Sequence, residues 1–302
     1  MTCPIEQGLK HEQELLPLTG PQTQALMAKT YHEFMTMANR IKCTCCRVGP
    51  TNGCLPPVMC RAVPYNPVTR QYSLGRIILI GEAPGSVERE KGITFEGPAG
   101  QRLRSSMLHQ AVIMEYDCSF INLLKCHPFD VIYDRNDPSV RTKRDRAPEK
   151  DEIDACFQLL LKQLSFHDPY VIIFLGNVAS RYCLGLRSGF RITQYAGYGV
   201  PLRINGRDVP GLCLVHPSYF TRESGQHDKA SWVKCVDMLT EVRMAGVACD
   251  DQGNWQPRLP RFHLLPANLF MKGCLPERYK EAIHAPKEGE IKAGRTATRA
   301  PA

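Results

Sequence analysis

Four short apolar runs recur along the chain without polar alternation: Arg76–Ile80, Asp117–Leu124, Pro169–Leu175 and Gly211–Val215. Continuous apolar runs of this length predict strands covered on both faces. Between them, apolar residues fall at helical spacing. Pro21–Lys42 predicts a helix with Ala25, Leu26, Tyr31, Phe34, Met35, Ala38 and Ile41 on its inner face. Gln101–Ile113, a helix opening at Pro148, a short helix from Asn177 and a closing helix over Ser231–Met244 complete the set. Alternation of strand and helix predicts an α/β fold: a three-layer α/β/α sandwich with a mostly parallel, four-stranded central sheet. Residues 1–20 carry no clear period and predict an irregular start. Residues 20–248 form the α/β unit. Residues 249–302 are rich in Pro, Gly, Ala and charge, and predict a basic, disordered extension.

Three of the four runs end in a distinctive polar residue. Glu82 follows the first in Gly81-Glu-Ala-Pro-Gly85, Asn122 lies in the second, and His216 follows the fourth in His216-Pro-Ser218. A parallel sheet gathers its strand C-termini, and ligands bind in the crevices there. The loop after the first run, residues 86–100, carries a single aromatic, Phe95, as a candidate stacking surface for a flat ligand. A further loop, residues 129–147, carries Arg141, Lys143, Arg144 and Arg146 and predicts an electrostatic contact with phosphate.

Charge and cysteine content sharpen this picture. The net charge of +8 is compatible with a nucleic-acid partner without requiring one. Fourteen cysteines are many for 302 residues. The first residues contain no apolar core of a secretory signal, and no run is long enough for a membrane span. The expectation is an intracellular, cytoplasmic protein in which clustered cysteines hold a metal. Cys43, Cys45, Cys46, Cys54 and Cys60 form such a cluster, and Cys43-x-x-Cys46 can place two thiolates on one metal centre.

Taken together, Gly81-Glu-Ala-Pro-Gly85, Gly92-Ile-Thr-Phe95-Glu-Gly-Pro-Ala-Gly100, Asn122-Leu-Leu-Lys-Cys126, Cys156 and His216-Pro-Ser218 resemble the iron–sulfur uracil-DNA glycosylases, family 4 of that superfamily. The resemblance spans roughly residues 20–245. It implies that Glu82 serves hydrolysis, that His216 bonds uracil O2, that Phe95 stacks on the flipped base and that Asn122 reads its edge. It implies that Glu88 lies near C5 and disfavours thymine, and that Gly81, Ala83 and Ser218 contact substrate. It implies a [4Fe-4S] cluster on Cys43, Cys46, Cys126 and Cys156, with Cys54 or Cys60 as alternatives to the first pair. Thr94 stands where the family usually has proline, Glu96 where a small apolar residue is usual, and the segment from Cys126 to Cys156 is longer than the family norm.

The chemistry suits these residue types. Breaking the bond from sugar to uracil develops positive charge on the sugar and negative charge on the base. A carboxylate answers the first and a donor at O2 the second. The implied activity is hydrolysis of the N-glycosidic bond of uracil in DNA, by a monomer acting on uracil-containing DNA. The alternative is a catalytically silent nucleic-acid-binding protein that keeps the pocket and the cluster. An iron–sulfur electron carrier leaves Phe95, Asn122 and His216 unexplained. A zinc nucleobase deaminase lacks its His-x-Glu, and a nucleotide triphosphatase its phosphate-binding glycine loop.

Overall fold

The computed structural model describes residues 3–10, 23–38, 46, 48, 65–66, 71–72, 74–133, 137, 139, 141–246, 259–276 and 278–279. The helices are α1 (Pro4–Lys10), α2 (Thr23–Leu26), α3 (Tyr31–Ala38), α4 (Ser86–Lys91), α5 (Pro98–Arg102), α6 (Lys150–Ser165), α7 (Gly176–Leu184), α8 (Glu223–Gln226) and α9 (Lys229–Gly246). The strands are β1 (Tyr65–Asn66), β2 (Gln71–Tyr72), β3 (Ile77–Gly81), β4 (Cys118–Asn122), β5 (Phe129–Tyr133), β6 (Arg141–Asp145), β7 (Val171–Leu175), β8 (Tyr198–Ile204), β9 (Arg207–Leu214) and β10 (His263–Leu264).

The central sheet has six strands in the order β10-β8-β9-β7-β3-β4. The four apolar runs become β3, β4, β7 and β9, which are mutually parallel. Every residue of β3, β4 and β7 is buried, as expected of strands covered on both faces. The chain moves one way from β3 to β4, then back past β3 to β7 and on to β9. Right-handed crossovers therefore place α5 and α6 on opposite faces of the sheet. The contacts agree: α1, α6 and α7 pack together, while α9 packs against Leu103–Leu108, the π-helical continuation of α5.

Two strands were not expected. β8 pairs antiparallel with β9 through a two-residue turn, Asn205-Gly206, with both residues at positive φ. This is the preferred hairpin geometry, and Asn-Gly is its sequence signature. Gly199 and Pro201 disguise β8 as a loop. β10 adds in parallel to the outer edge of β8. The region from 249 onward is therefore not structureless throughout. Leu265 and Phe270 are buried, Leu265 N–H donates to Gly199 O at 2.9 Å, and Arg187 Nε donates to Phe270 O at 2.8 Å. Residues 280–302 lie outside the described residues.

Other boundaries shift for identifiable reasons. The start is helical where an irregular segment was expected. In α1, Ile5 is fully buried and Glu6 Oε1 accepts from Arg203 N–H of β8 at 2.7 Å. The helix expected over 21–42 is broken into α2 and α3. Thr30-x-x-Glu33 makes a capping box, with Glu33 N–H donating to Thr30 Oγ1 at 3.1 Å and Thr30 N–H to Glu33 Oε2 at 3.3 Å. The helix expected over Gln101–Ile113 starts earlier, at Pro98, and is over before Val112, whose φ is 55°.

The expected basic loop 129–147 is instead an antiparallel ribbon, β5–β6, with β6 fully exposed. Arg146 departs most from expectation. It is mostly buried, pairing with Asp130 at 3.1 Å and with both oxygens of Glu152, whose side chain has no solvent exposure. Glu152 also accepts from Glu149 N–H at 2.8 Å, closing the N-terminus of α6. Arg146 thus anchors the ribbon to α6 and is not an available phosphate contact. Truncating it strands a buried carboxylate, so Arg146→Ala is expected to destabilise the fold by about 3–5 kcal/mol, measured by urea unfolding. Arg144→Ala, exposed on the same ribbon, should cost less than about 1 kcal/mol.

Candidate functional site

Because the connections after β3 and β7 run in opposite directions, the crevice between their C-terminal ends is the switch point of the sheet. A cavity of about 480 Å³ opens there. It is lined by Glu82 and Ala83 after β3, Gly176 after β7, His216, Ser218 and Arg222 after β9, and His127 at the foot of the ribbon. A larger cavity of about 770 Å³ lies between α1, α6 and α7, lined by residues such as Gly8, Phe157 and Tyr182, and holds none of the strand-end groups.

His216 leaves β9 directly over Gly176. Gly176 has φ 87°, and a Cβ there would lie 2.9 Å from His216 Cβ, so only glycine lets the two strand ends close. Ser218 N–H donates to His216 Nδ1 at 3.2 Å, and Ser218 Oγ lies 2.8 Å from the same nitrogen. A backbone N–H can only donate, so Nδ1 is the acceptor and the neutral ring carries its proton on Nε2. Burial of the imidazole, reinforced by the positive charge of Arg222, pulls its pKa down to about 4. The ring is therefore a neutral donor at physiological pH. Burial pushes the Glu82 carboxyl above its usual value, and Arg222 opposes that shift. One cation thus favours both an ionised Glu82 and an uncharged His216.

On the other flank of the same turn, Gly81 of β3 lies in register with Asn122 of β4. A Cβ on Gly81 would stand 2.5 Å from Asn122 Oδ1 and 2.8 Å from Phe95 Cζ. Asn122 and Phe95 thus converge on one spot beside Glu82, though neither lines the cavity of about 480 Å³. Both are buried. Phe95 adopts φ 58° and packs against Phe120 with ring centres 5.5 Å apart. Thr94, buried, donates to Phe120 O at 3.0 Å, and Arg104 Nη1 donates to Phe95 O. Glu88 is turned inward, accepting from Gly85 N–H at 3.1 Å and Gly97 N–H at 2.8 Å, so it ties together the two loops that carry Glu82 and Phe95.

A model described as the Uracil DNA glycosylase superfamily matches residues 72–240, more than half of the chain. The chain belongs to that superfamily. Curated relatives include a Type-4 uracil-DNA glycosylase of Pyrobaculum aerophilum, 30% identical over 49% of this chain and 68% of the relative. Those of Sulfurisphaera tokodaii and Thermotoga maritima are 34% and 31% identical over 49% of this chain, covering 61% and 67% of their own lengths. A solved structure, wild-type Pedobacter heparinus SMUG2, aligns over 80% of this chain and 99% of that one, with a TM-score of 0.35 and 11% identity; at that level it adds nothing to the argument.

Within this glycosylase-superfamily fold, two of the four cysteines singled out by sequence lie on segments that touch. Cys126 follows β4 and Cys156 lies in α6, both buried, and Lys125 N–H donates to Cys156 Sγ at 3.4 Å. Cys156 joins a small core with Leu124 and the inner faces of α2 and α3. Cys46 is half-buried; Cys43, Cys54 and Cys60 lie outside the described residues, and among the described residues no three potential ligands converge on a metal.

Sequence reasoning missed two residues. Arg222 carries no local signal beyond its place six residues after His216. Lys125 is fully buried, its ammonium donating to Asn122 O at 2.6 Å and Gln163 Oε1 at 2.8 Å, so it holds the end of β4 in place. A buried lysine is rare unless bonded in this way, but only the fold reveals its partners.

The electrostatics give a direct test. In an NMR pH titration, the His216 ring should stay neutral with its proton on Nε2 down to about pH 4. Unfolded histidine protonates near pH 6.5, so this group's contribution to stability is lost as pH falls from about 6.5 to about 4. In Arg222→Gln the His216 midpoint should rise and that of Glu82 should rise with it.

Proposed function

We propose that this protein is a uracil-DNA glycosylase, a hydrolase that cleaves the N-glycosidic bond of uracil in DNA and leaves an abasic site for base excision repair. The observation that carries the reading is the meeting, at the sheet's switch point, of a carboxylate with a histidine held neutral and protonated on Nε2. That pair matches the charge that develops as the bond breaks. Glu82 stabilises the cationic sugar and orients the attacking water. His216 donates from Nε2 to uracil O2 as negative charge grows on the departing base. The target bond is out of reach in a stacked helix, so the nucleotide must turn out into the pocket. There Phe95 offers its ring to the base. Asn122 accepts from uracil N3–H and donates to O4, the reverse of what cytosine presents. Gly81 and Ala83 let the base approach the backbone, and Ser218 fixes the His216 tautomer. Glu88 acts through the loops it ties, which shape the wall by C5.

The same reading includes a [4Fe-4S] cluster on Cys43, Cys46, Cys126 and Cys156. Support comes from the burial of Cys126 and Cys156 on touching segments and from the core that α3 shares with Cys156. Thiolates are the donors that iron–sulfur centres require. The cluster would tie the N-terminal helices to the loop after β4, and bond cleavage makes no use of it. Cys126→Ser or Cys156→Ser should lose iron and the brown chromophore and lower the melting temperature. Full iron content in both would refute the ligand set.

Single-turnover excision from matched uracil and cytosine strands tests the catalytic assignment. His216→Ala should slow uracil release by about 100- to 1,000-fold while uracil-DNA still binds. Asn122→Asp should slow uracil excision and shift relative acceptance toward cytosine. A near-native rate for His216→Ala would sink the reading.

A further inference from the structure

The β5–β6 ribbon has two unlike faces. Its register sets Phe129 opposite Asp145, Val131 opposite Lys143 and Tyr133 opposite Arg141 on one face, with Asp130 opposite Arg144 and Ile132 opposite Thr142 on the other. On the second face the cations are neutralised, since Arg144 and Arg146 both pair with Asp130, at 3.6 and 3.1 Å. On the first face they are not. Lys143 Nζ lies 4.7 Å from the centre of the Phe129 ring, and the Arg141 guanidinium 5.4 Å from that of Tyr133. Arg89, from α4, stands 5.3 Å from the centre of the same Phe129 ring. Among the described residues none of these three cations forms an ion pair, and Arg89 Nε and Nη1 are buried without a hydrogen-bond partner. The one acid on this face, Asp145, sits at its foot beside the cavity and accepts from His127 Nε2 at 2.8 Å. Tyr133 remains 53% exposed and Val131 38%.

The ribbon begins at the cavity, with Asp145 on this face and Arg146 on the other. His127, Pro128, Asp145 and Arg146, at the foot of the ribbon, line that cavity together with Glu82 and His216. Alternate residues on a strand face the same side about 6.8 Å apart, so Arg141 and Lys143 form a short ladder of positive charge leading away from the site. Unpaired cations beside an exposed aromatic are what a nucleic-acid strand recognises: phosphates meet the charges and a base stacks on the ring.

We propose that the face formed by Tyr133, Val131, Arg141 and Lys143, continued by Arg89, is a track for the sugar–phosphate backbone of the DNA strand entering the cavity. The track rests on the glycosylase reading above and adds to it a contact outside the base pocket. It supplies affinity and no base preference, because phosphate contacts carry no sequence information.

The test is fluorescence anisotropy with an undamaged single-stranded oligonucleotide across a salt series, beside single-turnover uracil excision at saturating protein. Arg141→Gln with Lys143→Gln should weaken binding about tenfold at low salt and flatten the salt slope by about 1.4, at roughly 0.7 per contact. Tyr133→Ala should weaken binding about fivefold or more through lost stacking. Arg144→Gln, on the neutralised face, should bind as the parent does. All four residues are exposed, so the melting temperature should hold. An unchanged slope in the double variant, or an equal loss in Arg144→Gln, overturns the track. If the parent protein releases no uracil while the double variant still flattens the slope, the assigned reaction falls and the track stands.

Discussion

The carboxyl edge of this sheet depends on the absence of a side chain at Gly81. One added carbon there would collide with both Asn122 Oδ1 and the Phe95 ring. The parallel register of β3 and β4 brings Asn122 beside that gap, and the loop of residues 92–97 folds back to bring Phe95 to it. Phe95 pays with a left-handed backbone, a conformation that costs of order 1–3 kcal/mol for such a residue. The surroundings hold it there. Arg104 binds its carbonyl, Thr94 bonds to Phe120, Phe120 packs against its ring, and Glu88 cross-links the flanking loops. The acids and cations around Phe95 are thus mostly scaffolding for one aromatic placement.

A second layer of support is electrostatic. Two cations support the site, Arg222 outside the sequence motifs and Lys125 inside the Asn122–Cys126 one. Arg222 biases Glu82 toward its ionised form and His216 toward its neutral one. Lys125 sits wholly inside the protein, where a charge survives only with good partners, and uses the carbonyl of Asn122 as one of them. The same short segment carries Asn122 at one end and Cys126 at the other.

Much of this was legible in the chain itself. Strands buried on both faces announce themselves as unbroken apolar runs, so β3, β4, β7 and β9 and their polar ends could be read directly. β8 could not, because Gly199 and Pro201 interrupt its pattern, although Asn205-Gly206 marked the hairpin. Thr30-x-x-Glu33 likewise marked the start of α3 inside what looked like a single helix. The ribbon escaped because neither strand buries a continuous face, and its charges read as a loop. Among those charges, sequence could not distinguish Arg146, buried against Glu152, from Lys143, which has no ion-pair partner among the described residues. Through-space partners such as Arg222 and Lys125 leave no trace in local spacing.

The edge of the sheet has a consequence for how the protein is made. β8 is bounded on one side by its hairpin partner β9, and on the other by the two residues of β10, beside Tyr198 and Gly199, and by α1, whose Glu6 takes up Arg203 N–H. The ribosome delivers β8 and β9 long before His263. Until residues 259–276 emerge, the Tyr198–Gly199 end of that edge lacks its partner and presents unpaired backbone groups, the template on which strands from other chains add. Nascent copies on one message are held close together during that interval. The short strand β10 therefore closes the Tyr198–Gly199 end of that edge, narrowing the stretch on which neighbouring nascent chains could zip together.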